Sequence, residues 1–159
     1  MRNTLLLLCE DVTVDNKTNQ WSFFKHIERV SLVVPKGKLE EQRNISIKGR
    51  FNIVSFWEVG QSKEVETKYQ LVDAEGDVLL DTPPYKMEAK EGSSNLKQRL
   101  VLDQIIVRGN GTYYLKLFKK GEGGFITESI LSIDVVIKEG DEDGKKIEEG
   151  ITPTRTQIL

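Results

Sequence analysis

The chain has 159 residues, of which 38% are hydrophobic and 30% charged, and its net charge is −2. That length accommodates one domain with a sizeable core. The near-neutral charge supplies no global field for nucleic acid or an anionic membrane, and the single cysteine, Cys9, excludes an internal disulfide.

The elements follow in chain order. Leu5 to Val14 reads as a strand, apolar on both faces at first and alternating later. Its leucine run is too short for a signal-peptide core and is followed at once by Glu10 and Asp11. No run approaches membrane-spanning length, so the expected address is the cytoplasm and no membrane partner is expected. Asp15-Asn16-Lys17-Thr18-Asn19 has turn chemistry, and Trp21 to Ile27 returns as the second arm of a hairpin. Glu28 to Val34 reads as its extension, ended by Pro35-Lys36-Gly37. Leu39-Glu40-Glu41-Gln42 has the length of one helical turn.

Ile45, Ile47, Gly49, Phe51 and Ile53 alternate with polar residues, and both faces become apolar over Val54 to Trp57. Gly49 inside this strand predicts a bulge or a close backbone approach. Val65, Thr67, Tyr69 and Leu71 alternate with Glu64, Glu66, Lys68 and Gln70, as in a strand with one solvated face. Asp73 to Asp77 is a hairpin turn into Val78-Leu79-Leu80, and Pro83-Pro84 breaks the ladder because neither proline can donate. Tyr85 to Ala89 alternates again. Leu96 to Val107 carries two signals. Asn95 with Gln98 resembles a helix cap, whereas Leu100-Val101-Leu102 and Ile105-Ile106-Val107 are β-rich and favour a strand. Gly121 to Gly124 is a turn, and Leu131, Ile133, Val135 and Ile137 form one face of a closing strand. From Glu139 onward the chain is charged, glycine-punctuated and non-periodic, which predicts a sandwich domain over 1–138 and a flexible charged tail over 139–159.

Gly111-Thr112-Tyr113, followed two places later by Leu115, looks like the penultimate strand of an immunoglobulin-type sandwich, whose tyrosine ties its hydroxyl to the preceding corner. The expected fold is an all-β, immunoglobulin-like antiparallel sandwich of roughly eight strands.

The opening residues Leu7, Leu8, Cys9, Glu10, Asp11, Val12, Lys17, Ser22, Phe23 and Ile27 carry a further pattern. They form a Leu-Leu-Cys-Asp/Glu-x-Val strand, a polar turn with lysine, and a Ser-Leu-x-Gly-x-Phe-x-x-Ile-like strand. This resembles a widespread group of uncharacterised small bacterial proteins. The chain departs from the pattern at Phe24-Lys25-His26. The resemblance implies a small soluble β-protein with no assigned activity.

Candidate chemistry is sparse. His26 is the only histidine, so triads and most zinc sites lack partners for it. Cys9 stands among apolar residues with acids beside it, which disfavours a thiolate. Asp141-Glu142-Asp143-Gly144 lacks the ligand spacing of a calcium loop, and the glycines at 121–124 join strands instead of opening a phosphate-binding helix. No catalytic residue, cofactor or metal is therefore expected. Lys116, Lys119 and Lys120, interleaved with Phe118, form a small basic aromatic patch, and Trp21 follows a polar turn where exposure is expected. These five residues are the candidate interaction surface. The expectation is a non-enzymatic binding or scaffold module acting on an unknown protein partner or on a second copy of itself. A carbohydrate- or nucleic-acid-binding face and a small carboxylate-based enzyme are the alternatives, and the charge balance disfavours nucleic acid.

Overall fold

The computed structural model describes residues 1–35 and 44–140. The possible turn at 39–42 and all but two residues of the expected tail lie outside them. Ten strands follow one another: β1 (Arg2–Val14), β2 (Trp21–His26), β3 (Arg29–Pro35), β4 (Ile45–Glu58), β5 (Glu64–Val72), β6 (Val78–Asp81), β7 (Tyr85–Glu88), β8 (Asn95–Val107), β9 (Gly111–Gly121) and β10 (Gly124–Gly140). The described residues contain no helix. The segment over 95–107 is a strand, as its β-rich runs favoured.

Two sheets face each other. One has the order β2-β1-β4-β8; the other has the order β3-β10-β9-β5-β6, with β7 also on β5. Period-two alternation turns Ile53 and Trp57 of β4, Tyr69 and Leu71 of β5, and Leu115 and Leu117 of β9 into one shared core. All pairings are antiparallel except β3 with β10, which is parallel. The count exceeds the expected eight or so: the segments that read as strands number nine, and one of them is two. At Ile27 and Glu28 the chain leaves the first sheet and joins the second, where the Asp134 amide donates to the Glu28 carbonyl. A period of two is the same in either sheet, so the pattern from Trp21 to Val34 gave no sign of the crossing. The expected boundary at 139 also moves: Glu139 pairs with Val34 and Gly140 with Pro35, so the sandwich includes both.

The core contains one polar knot. Trp57 Nε1 donates to Ser55 Oγ at 2.9 Å, the Ser55 and Tyr69 hydroxyls lie 2.9 Å apart, and Tyr69 Oη donates to Gln98 Oε1 at 2.7 Å. Burial pushes the Tyr69 pKa up to about 12 against the opposing hydrogen bond from Ser55, so the phenol stays neutral and able to donate. The knot ties β4, β5 and β8 together with its buried hydroxyls and indole N–H satisfied.

The expected corner is present. The Tyr113 hydroxyl accepts from the amides of Arg108 and Gly109 at 2.9 and 3.1 Å and donates to the Gly109 carbonyl at 2.9 Å. Arg108 also pairs with Asp77 and, at 3.4 Å, with buried Asp73, which joins the corner to the turn before β6. Tyr113→Phe removes all three hydroxyl contacts, and the expected loss is about 1–2 kcal/mol. Urea denaturation with an unchanged slope checks this; an unmoved midpoint would show that the corner is idle.

Candidate interaction surface

The outer face of the first sheet is covered over its β1 and β4 part. Trp21 on β2 pairs with Val14, whereas Phe56 on β4 pairs with Leu5. A straight β1 would separate Leu5 from Val14 by ~30 Å at ~3.3 Å per residue. Yet the Trp21 and Phe56 rings are 5.9 Å apart, edge to face, and Phe23 lies 5.7 Å from Phe56. The hairpin from 10 to 25 therefore folds back over the sheet that β1 starts in. Val12, Trp21 and Phe23 close over Leu7, Cys9, Val54 and Phe56 as a second small core. Lys97 on β8 fastens the hairpin: its ammonium donates to the Asn19 carbonyl at 2.8 Å and lies over both the Trp21 and Phe56 rings.

Asn52 makes the bend. It is fully buried; its amide nitrogen donates to the carbonyls of Cys9 at 3.3 Å and Glu10 at 2.7 Å, where β1 turns out of the ladder. Its oxygen accepts from Arg99 Nε at 2.8 Å. The side chain thus replaces ladder partners at the bend and anchors β8 to it. Cys9 is sealed beneath. Burial pushes its pKa up, with Asp11 adding and Arg99 opposing, so the thiol stays protonated.

The candidate residues do not form one surface. Trp21 belongs to the outer cluster of the first sheet, half-buried with its indole N–H buried and unpartnered among the described residues, so the expected exposure is reduced by packing. Lys116, Phe118, Lys119 and Lys120 stand on β9 in the other sheet. Strand alternation puts Lys116, Phe118 and Lys120 on its outer face and Lys119 on the opposite one. Lys119 pairs with Glu128 at 3.0 Å and donates to the Met1 carbonyl; Lys120 pairs with Glu66 at 2.8 Å; Phe118 takes the Lys68 ammonium on its ring. Lys86 pairs with Glu64 beside them. The basic patch is largely neutralised by its own carboxylates.

Other candidates disperse as well. His26 is exposed, 3.5 Å from Glu28. Glu10 pairs with Lys25 at 2.7 Å. Among the described residues no three His, Cys, Asp or Glu side chains converge as a metal site, and no helix is long and apolar enough to cross a membrane.

The sheet edges differ more than the faces do. β6 and β7, at the far edge of the second sheet, have four residues each and flank Pro83-Pro84. β3 has seven and ends on Pro35; β2 has six and carries Lys25 at positive φ, where a pairing chain meets an irregular backbone. All four are the kind of edge that resists pairing. β8 is different. It has 13 residues without proline or glycine, and no strand among the described residues pairs with its side away from β4. Val101, on its outer face near the middle, is 41% exposed. Nothing in the sequence singles out this edge beyond its length without a breaker, because a strand's position in a sheet is not written in its period.

A scan against known protein families finds none that matches the chain, and a search of curated proteins finds no match. The resemblance of the opening strands to the bacterial group therefore rests on those residues alone.

Proposed function

We propose that the chain is an immunoglobulin-like β-sandwich that acts without catalysis, as a binding or scaffold module, through protein–protein contact along the open edge of β8. The observation that carries this reading is the 13-residue edge of β8, open along its side away from β4 among the described residues. By contrast, β2, β3, β6 and β7 are short or interrupted, and the stretch of β10 that β3 leaves uncovered is broken by a register shift at Ser129 and bonded by Asn3. An unpaired row of amide and carbonyl groups gives main-chain affinity to any added strand, and alternate side chains select it. The immunoglobulin-like assignment is supported by the tyrosine corner on β9, the penultimate strand, and by the parallel pairing of β3 with β10 along the edge of the larger sheet. The lysine-aromatic face has less support as a sugar or nucleic-acid reader, because Lys119 and Lys120 are engaged by Glu128 and Glu66.

A photo-crosslinking amino acid placed at Val101, and separately at Tyr114 on the outer face of the second sheet, tests the reading in the native cell. The expected result is a protein adduct from position 101 and none from 114. Adducts from 114 alone, or none from either, would overturn it.

A further inference from the structure

The edge of β8 is self-complementary, and the geometry points to a second copy of this chain as its occupant. The inference rests on the reading of β8 as the contact edge and names its partner. Two copies related by a two-fold axis pair antiparallel, so each contact occurs twice. With Val101 on the axis, Leu100 of each copy faces Leu102 of the other, and Arg99 of each faces Asp103 of the other. Facing residues in an antiparallel pair share a side of the sheet. Leu100 and Leu102 both pack toward the core side, the alternation of β8 turns Arg99 and Val101 outward, and Asp103 is exposed where the β4–β8 register shifts. All five positions from 99 to 103 thus meet a residue that suits them: apolar against apolar on the inner side, and opposite charges flanking a valine pair on the outer side.

The charges are available for this. Asp103 is exposed and has no ionic or hydrogen-bonding side-chain partner among the described residues. Arg99 places its Nε on Asn52 of β4, and among the described residues its terminal nitrogens have no carboxylate partner, so they remain for one. The matched register stops where the strand itself changes: the β4–β8 pairing shifts between Lys48 and Phe51, and both Leu102 and Ile105 pack toward the core. The joined sheets would then run as one eight-stranded sheet, β2-β1-β4-β8 continued into β8-β4-β1-β2 of the second copy.

Sedimentation of the full chain at ~100 µM is the test, a range in which contacts of moderate affinity are populated. The wild-type chain is expected to be a dimer. Val101→Lys sets two ammonium groups face to face, and Asp103→Arg sets arginine against arginine twice; each should weaken association roughly tenfold or more. Arg99→Glu should do the same, and a mixture of Arg99→Glu with Asp103→Arg should restore the dimer, since both cross-pairs become opposite in charge. Arg99→Glu loses the Asn52 contact and risks the fold, so the substitutions at the exposed sites Val101 and Asp103 decide the outcome without it. A wild-type monomer, or a dimer indifferent to these changes, would overturn the proposal. So would a chain that is monomeric whole but dimeric without residues 141–159, since its own terminus would then be what covers β8. A wild-type monomer that still crosslinks from position 101 in cells would reject self-pairing while leaving the contact edge in place.

Discussion

Trp57→Ala is expected to lower stability by about 4 kcal/mol, the largest single effect in the molecule. Trp57 is fully buried and is the largest such side chain. It sits on β4, which is bonded to both β1 and β8, so a void there loosens three strands of one sheet and the facing layer. The indole also donates to Ser55, which lies in the knot with Tyr69 and Gln98. A close-packed β core cannot collapse around so large a void without moving the ladder. A domain of this size has on the order of 5–15 kcal/mol in total, so the variant should be marginal and melt at least ~8 °C lower. Urea and thermal denaturation check it. A loss under ~1 kcal/mol would mean that the void refills, and the central place given to this residue would be wrong.

Asn52→Leu is expected to cost about 3 kcal/mol, although leucine is close to asparagine in shape and far more apolar. The loss comes from what is left behind: carbonyls of Cys9 and Glu10 and the Nε of Arg99, each deprived of its buried partner. The consequence should be local before it is global. With the bend unsupported, the hairpin from 10 to 25 should lift from the outer face, and Cys9 beneath it should become reachable. Native-state labelling of the thiol, slow in the wild type, should accelerate by an order of magnitude or more, as the ~3 kcal/mol is drawn partly from the hairpin's closure. Trp21 emission should shift to the red in step. Unchanged labelling with lowered stability would show that Asn52 serves the sheet and not the hairpin.

These two residues mark what the sequence does and does not disclose. Alternation made Val65 to Leu71 legible as a strand, Pro83-Pro84 legible as a break, and Gly111-Thr112-Tyr113 legible as a corner, because each depends on local chemistry. Trp57 was legible as core because both faces around it are apolar. That same double apolarity, in Leu7 to Cys9 and again in Val54 to Trp57, was the mark of a covered outer face. What covers it was not legible, since Val12, Trp21 and Phe23 become a lid only through a bend made by Asn52, a residue whose period places it among solvated neighbours. The crossing at Ile27 was hidden for the same reason: the chain keeps its period while changing sheets. Lys119 was grouped with Lys116 and Lys120 by proximity in sequence, although the strand period already separates it from them. Gln98 looked like half of a helix cap and is instead the acceptor at the centre of the buried knot.

Amide hydrogen exchange across β8 tests the central claim, that this edge is where the protein meets its partner, more directly than any substitution. In a strand with one neighbour, amides facing β4 are held and those facing away are open. At high protein concentration, or with a captured partner present, the open amides between 99 and 103 should become slow together, and dilution or Val101→Lys should release them. If those amides stay fast under every assembled condition while protection grows on β9 or β10, the contact surface lies on the second sheet and the β8 edge is idle.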